Sequence, residues 1–515
     1  MKKYSNYIGA LILGLLMSCS DLLEEETFSD VTVDDFYSSP TEFDLALNGV
    51  YARVWEAYVY KDNNNARFGD QTTDLLISRG GNPDNTDGWG WDRTTRNLAD
   101  WWRDSYPAIN EANKILAELE NVELEADFEA RVEGETRFLR ALFYSNLNKM
   151  FHGVPLMTEP TEGVSDELYK GRSSYEEVWN FIEQDLQMAE QKLGSFSAEN
   201  HANGRVTLAS VQGLLARVHA WQREWQPAVE AAQREISHAE IFLMPDYQKI
   251  WHPDFENGSE HLFTKSHGVG TSTDNIGNNN VWWKNVSGFT LEDGTTVDFS
   301  VNEDDKGHSW WVNRDFYDNT PDTYRKMYSM RDWMPFYIPK GGEPVFDTLQ
   351  FPENIGPQLV KYYHLDNNYF QRTEVNDNIL RTAEMYLIIA EGLNELNGPT
   401  AEAYAAINAI RQRARAVGTP MEQPESVYPD LMGLSQDAFR DAVIEEFARE
   451  FIGEGLFRGV LIRHDRYTER SWSTGEVPIQ NQQDYKIWFA IPDIEMENNS
   501  NLEQNPGYAG ASNGS

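Results

Sequence analysis

Trp89 and Trp91 stand two residues apart in NPDNTDGWGWDR (82–93), with Gly90 between them and Asp92 and Arg93 directly after. In extended backbone, residues i and i+2 face one side of the chain, about 7 Å apart. The two indoles would then form a flat apolar platform, with a carboxylate and a guanidinium beside it to meet hydroxyls. That chemistry suits a sugar, whose ring offers C–H faces to an aromatic plane and hydroxyls to directional partners. The surrounding Gly, Asn and Asp are loop residues, and loops on a rigid scaffold carry binding groups.

Further tryptophans stand in polar segments: Trp282 and Trp283 in GNNNVWWKN, Trp310 and Trp311 in GHSWWVNRD, and Trp333 in SMRDWMPFY. Adjacent residues point to opposite faces of a strand and about 100° apart on a helix. Each Trp-Trp pair is therefore expected to use one ring for packing and offer the other to a ligand. With 16 Trp, 24 Tyr and 25 Phe, the chain carries more aromatic surface than a core of this size requires. Trp101 and Trp102 open a periodic helix and Trp179, Trp221 and Trp225 lie on others, so these five read as core.

Signs of catalysis are sparse. The ten histidines form no HExxH and no metal-spaced cluster, and there is no Gly-x-Ser-x-Gly elbow or phosphate loop. GEGLFRG (453–459) has glycines at the wrong spacing inside a helical stretch and reads as scaffold. Glycosidase carboxylate pairs leave no motif, so a secreted glycoside hydrolase stands as an alternative. VNEDDKG (301–307) offers oxygen ligands for a structural calcium but lacks a dedicated loop pattern. No catalytic residue, no other metal site and no cofactor are expected.

The elements that must position these residues are mainly helical. Apolar residues recur at helical spacing in 99–122, interrupted by Pro107, and in 130–151. SYEEVWNFIEQDLQMAEQKL begins behind Ser173 or Ser174 with Glu176 and Glu177 in its first turn. TLASVQGLLARVHAWQRE and WQPAVEAAQREIS form a closely joined pair. RTAEMYLIIAEGLNELN and AEAYAAINAIRQRAR form another across Gly398-Pro399, and SQDAFRDAVIEEFAREFIGEGLF closes the set. Paired helices with small residues on facing sides predict a tetratricopeptide-like helical-repeat scaffold. Between 245 and 378 this periodicity fades, and short extended runs such as EHLFTKS and QLVKYYH predict a long irregular, loop-rich insertion that faces the ligand.

The formal charge of −40 repels nucleic acid and anionic lipid. The only cysteine, Cys19, follows Lys2, Lys3 and the apolar run IGALILGLLM, which as a helix rises about 15 Å and is too short to span a bilayer. A basic start, a short apolar stretch and a small residue make a secretory signal. Leu16-Met17-Ser18-Cys19 resembles the lipobox of bacterial lipoproteins, which implies cleavage before Cys19 and acylation of its thiol. Lipids on that residue would hold the domain on a membrane, and the remaining chain would have no thiol for disulfides, zinc or nucleophilic catalysis. The acidic Asp21 and Glu24 to Glu26 resemble the signal that sends Bacteroidetes lipoproteins to the cell exterior.

Three later motifs complete a family pattern. ETRFLRALFYSNLNKMFHGVPL (135–156), AEMYLIIAEGLNELNG (383–398) and FAIPDIEMENNSNLEQNPGY (489–508), in that order after the lipobox, resemble the SusD/RagB-like outer-membrane lipoproteins of Bacteroidetes. One departure stands at Glu446-Phe447 and at Glu454-Gly455 with Phe457 and Val460, where the family writes further charged residues; it puts a scaffold ion pair in doubt, with Arg449 and Arg458 as substitutes. The resemblance implies a lipid-anchored protein on the outer membrane, facing outward and seated on a SusC-like TonB-dependent β-barrel transporter. Its ligands would be oligo- or polysaccharides, or peptides as in some members. The implied division is a signal peptide (1–18), a lipidated tether (19–45), an N-terminal helical region (46–244), the ligand-facing insertion (245–378) and a C-terminal helical region (379–515), all one compact unit.

Overall fold

The structure is a computed structural model that describes residues 36–59, 68–73, 75–78, 89–161, 163, 166–265, 287–290, 296–298, 310–340, 343–350, 356–361, 376–468 and 482–509. The expectations at Cys19, Trp282, Trp283 and the acidic segment 301–307 lie outside the described residues.

Eleven helices carry the scaffold among the described residues. They are α1 (Pro40–Val59), α2 (Arg96–Leu119), α3 (Ala126–Phe151), α4 (Tyr175–Leu193), α5 (Leu208–Trp221), α6 (Trp225–Ile236), α7 (Tyr324–Ser329), α8 (Thr382–Asn397), α9 (Ala401–Ala414), α10 (Gln436–Phe451) and α11 (Phe457–Arg463). Their starts follow local chemistry. Ser174 and Thr207 each form a reciprocal capping box, while the Thr400 and Ser435 side chains accept from the backbone three residues on. Pro107 neither ends nor restarts α2, which runs unbroken through it.

From α1 to α6 each helix packs on the next, and α8 then packs on α6, α9 and α10. The chain thus leaves the stack after α6 and re-enters it beside the same helix. That crossing is tight: a Cβ at Gly392 on α8 would lie 2.5 Å from the Val229 side chain on α6, so only glycine fits.

Between 245 and 381 the described residues form short strands. These are β2 (His261–Lys265), β3 (Ser287–Thr290), β4 (Thr296–Asp298), β5 (Trp310–Val312), β6 (Met330–Arg331), β7 (Trp333–Lys340), β8 (Glu343–Gln350), β9 (Gln358–Leu359) and β10 (Asp377–Arg381), with β1 (Leu76–Ser78) supplied from upstream. β10 pairs with β2, β3 with β4 and β7 with β8, and a four-stranded antiparallel sheet has the order β1-β5-β9-β6.

A buried ion network fastens this strand-rich part to the helices. Glu450 on α10 accepts from Arg325 on α7 (3.0 Å), Arg381 at the start of α8 (3.1 Å) and Arg413 on α9 (2.5 Å). Glu260 binds Arg381 and Arg413, Glu446 binds Arg325 and Arg411, and Glu454 binds Lys361 and Arg381. All these groups are buried or nearly so, where only close pairing offsets the loss of water. Glu446 and Glu454, the positions of the departure, therefore do form ion pairs. Of the two expected substitutes, Arg449 pairs with Glu445 (3.0 Å), whereas Arg458 donates to main-chain carbonyls.

GEGLFRG corrects one expectation. Its first four residues form a turn between α10 and α11, and Phe457 to Gly459 open α11; Gly453 and Gly455 have φ of 83° and 78°, a backbone region glycine enters without strain. The turn wraps the buried Asp70 carboxylate, which accepts from the N–H groups of Gly453 (2.8 Å), Gly455 (3.1 Å) and Phe457 (3.3 Å). This contact fixes the segment that leads into β1.

Candidate functional site

Register across the four-stranded sheet sorts its side chains by face, since paired residues share a side and neighbours alternate. Leu76 pairs with Val312 and Met330 with Leu359, and the chain alternation places all four on one face. They are buried in the hydrophobic core. The opposite row runs Ile77, Trp311, Gln358, Arg331, each paired with the next. It carries polar and aromatic groups, with Trp311 half-buried and Gln358 and Arg331 buried between the two ends.

Trp333, half-buried, begins β7 two residues after Arg331. The Arg331 guanidinium lies between its ring (5.0 Å) and that of Tyr328 (5.3 Å), a cation–π arrangement that fixes both planes. Tyr328 in turn meets Tyr324 at 4.7 Å. Next to Trp333, Asp332 accepts from the Tyr317 hydroxyl (2.9 Å) and pairs with Arg314 (3.4 Å). Burial, and then the Asp332 carboxylate, push the Tyr317 hydroxyl pKa up, so it stays a donor.

Two supports hold this row. α7 carries Tyr324 and Tyr328 and runs directly into β6, and its Arg325 is locked to Glu446 (2.7 Å) and Glu450 (3.0 Å). At the other end the Trp311 side chain lies on Gly356, where a Cβ would approach its Cβ to 2.9 Å. Two flat rings at the ends of a row of hydrogen-bonding groups can grip a ligand with apolar faces and polar edges.

Trp310 is in β5, paired with Ser78. Trp311 and Trp333 stand at the sheet, as the sequence reading placed them among candidates. Arg331, Gln358 and Tyr328 were not among the sequence candidates; Tyr328 and Arg331 lie in the run YRKMYSMRDW, dense in aromatic and cationic residues, and Gln358 lies outside it.

The platform expected at Trp89 and Trp91 is corrected by the packing. Trp89 has φ of 55°, so the backbone there is not extended, and both rings are fully buried. Trp89 stacks on Tyr467 at 4.7 Å and donates its indole N–H to the Thr72 carbonyl (2.8 Å). Trp91 meets Phe489 at 5.1 Å and donates to the Tyr508 hydroxyl (3.2 Å). Asp92 accepts from the Thr94 backbone and hydroxyl, ahead of α2. Arg93 donates to the Ala509 carbonyl and pairs with Asp493. Trp91 and Arg93 thus pin the start of α2 to the C-terminal segment, Trp89 packs on Thr72 and Tyr467, and Asp92 stays in the local turn ahead of α2. Trp101, Trp102 and Trp179 are core, and Trp221 and Trp225 pack half-buried against it.

Donor atoms that could hold a metal ion gather elsewhere. Glu183, His219 and Glu224 bring theirs within 4.8 Å of one another on α4, α5 and the turn before α6. There His219 Nδ1 lies 2.7 Å from the Glu224 carboxylate, an ordinary His–Glu contact.

A helical stack with a small sheet grafted onto it, one face in the core and the other aromatic and polar, defines a mainly helical scaffold protein. The comparisons give that class a family. The model of the SusD family matches residues 239–508, and one described as starch-binding and associating with the outer membrane matches 21–219. The chain belongs to the SusD family. It is 25% identical to a SusD-like protein of Formosa agariphila, covering 97% of both chains. It is 25% identical to the starch-binding protein SusD of Bacteroides thetaiotaomicron over 73% of each. Among solved structures, a SusD-like protein of Bacteroides fragilis shares the fold at a TM-score of 0.74 and 19% identity, covering 93% of this chain and 99% of that one. A laminarin-binding SusD-like protein does so at 0.68 and 22%, covering 92% and 100%.

Proposed function

We propose that this protein captures glycans at the cell surface and passes them to a partner TonB-dependent transporter of the outer membrane. The observation that carries the reading is the outer row of the sheet, with Trp311 and Trp333 at its ends and Gln358 and Arg331 between. Trp282 and Trp283 of the insertion are further ligand-binding candidates, whereas Trp310 alternates with Trp311 along β5 and pairs with Ser78, off the outer row. The helical regions 46–244 and 379–515 hold the insertion 245–378 as one unit. Cys19 is the lipid anchor, and the chain between it and α1 is a tether that lets the domain reach the transporter from the outer leaflet; the expected tether to residue 45 is shortened, because α1 begins at Pro40 and buries Phe43 in the core. The role is binding without bond cleavage, a reading supported by the starch-binding and laminarin-binding proteins that the chain resembles.

Affinity electrophoresis against soluble polysaccharides, starch and laminarin among them, tests this. Retardation by one glycan that falls in Trp311→Ala and Trp333→Ala, with no reducing ends released, is the expected result. Undiminished retardation in both variants rejects the site. Oligopeptide binding in place of glycan binding would reject the ligand class, and release of reducing ends would reject the non-catalytic role.

A further inference from the structure

A cavity of about 90 Å3 lies between α3, α5, α11 and the Phe68-Gly69 segment, away from the sheet's outer row. Lys149, Arg217, Arg458 and Arg463 line it, against Glu384 and Glu454. Most of these charges are matched. Arg217 donates to Glu384 (2.8 Å), Arg463 grips Glu391 (2.5 and 2.6 Å), and Glu454 is held by Lys361 (2.6 Å) and Arg381 (2.7 Å). Lys149 and Arg458 are different.

Among the described residues the Lys149 ammonium meets no carboxylate and no hydrogen-bond acceptor, only the Trp221 ring at 5.8 Å. The Arg458 guanidinium, 4% exposed, donates to the carbonyls of Lys149 and Ile487 and lies 4.6 Å from the Phe489 ring. It has no carboxylate partner, and no described acceptor meets its buried Nε. Because its Nη1 binds Lys149's own carbonyl (3.3 Å), the two cations belong to one wall. Holding two positive charges without a paired carboxylate, Arg458 buried and Lys149 half-buried, is costly, and this local excess occurs in a chain whose net charge is −40.

We infer that this cavity is a site for a small monovalent inorganic anion, held between the Lys149 ammonium and the Arg458 guanidinium. The space exceeds the roughly 30 Å3 share of one water, so a halide fits, and the Phe68, Trp101, Trp221 and Phe489 walls suit a weakly hydrated, polarisable ion. In support, burial and then the neighbouring Arg217, offset in part by Glu384, hold the Lys149 ammonium down to about 7.

Bromide is the probe, with sodium gluconate, a bulkier and strongly hydrated anion, as the control at equal ionic strength. Crystals grown in bromide are expected to show an anomalous peak beside Lys149 and Arg458. The unfolding midpoint should rise with bromide along a saturating curve, and that rise should vanish in Lys149→Met. A cavity without bromide density at saturating bromide overturns the inference, as does an equal bromide dependence in Lys149→Met and wild type. Should Lys149→Met fail to fold, the wild-type diffraction alone decides.

Discussion

Trp89 and Trp91 in the core and Trp311 and Trp333 at the sheet differ in burial, and the difference is testable one residue at a time. Trp89→Ala removes a fully buried ring that stacks on Tyr467, so it should lower unfolding stability by about 3–5 kcal/mol in denaturant titration. Trp311→Ala and Trp333→Ala remove half-buried rings at the sheet. Each should weaken glycan binding about tenfold, roughly 1.4 kcal/mol, with a smaller change in the unfolding midpoint. Carboxyl groups make a second residue-scale contrast. Burial alone would raise Glu391, but Arg463 and His464 outweigh it and hold the carboxyl at about 2. A depressed acid stabilises the fold above its ordinary pKa, and that contribution is lost as pH falls from about 4.5 through 2. It amounts to about 3 kcal/mol, so Glu391→Gln should flatten the acid limb of a stability–pH curve. Glu235 goes the other way. Burial, with only the Thr382 hydroxyl (2.8 Å) against it, holds the carboxyl up to about 8. Its contribution is full below pH 4.5 and is lost as pH rises through 8, so Glu235→Gln should gain stability relative to wild type over that interval.

At the scale of elements, α7 links the buried charges to the binding row. Burial alone would raise the Glu450 carboxyl, and Arg413, Arg381 and Arg325 hold it well below the usual carboxylate range. Glu450→Ala would leave these guanidiniums buried without their shared acceptor. A loss of about 3–5 kcal/mol is expected, with disorder of α7 and β6 read as faster amide exchange at Tyr324–Arg331. Gly356→Ala should act locally: the added methyl would press on Trp311, lowering glycan affinity while leaving the helical circular dichroism unchanged. Helices of the stack were legible in the sequence, because caps such as Ser174 and apolar spacing are local signals. The sheet was not. Strands of two or three residues hold no period to read, and the pairing of Ile77 with Trp311 spans more than two hundred residues. Trp89 misled for a related reason: its left-handed backbone cancels the alternation that would have aligned it with Trp91.

For the whole molecule, motif order along nearly the full chain was the most legible feature, and the family match covers both helical regions. The ion network was invisible beforehand because Glu260, Arg325, Arg381 and Glu450 are brought together only by the complete fold. Their junction makes the strand-rich part and the helices one cooperative body, so a single unfolding transition is expected by both tryptophan fluorescence and far-ultraviolet dichroism. Two separated transitions would contradict it. The sheet's division into a greasy underside and a chemically varied top has an evolutionary corollary. Under the proposed function, positions 77, 311, 331 and 358 can change with the glycan while positions 76, 312, 330 and 359 keep the body intact, so ligand preference can drift without a fresh solution to folding. A single inserted residue in β5 would reverse that parity and turn the outer row inward.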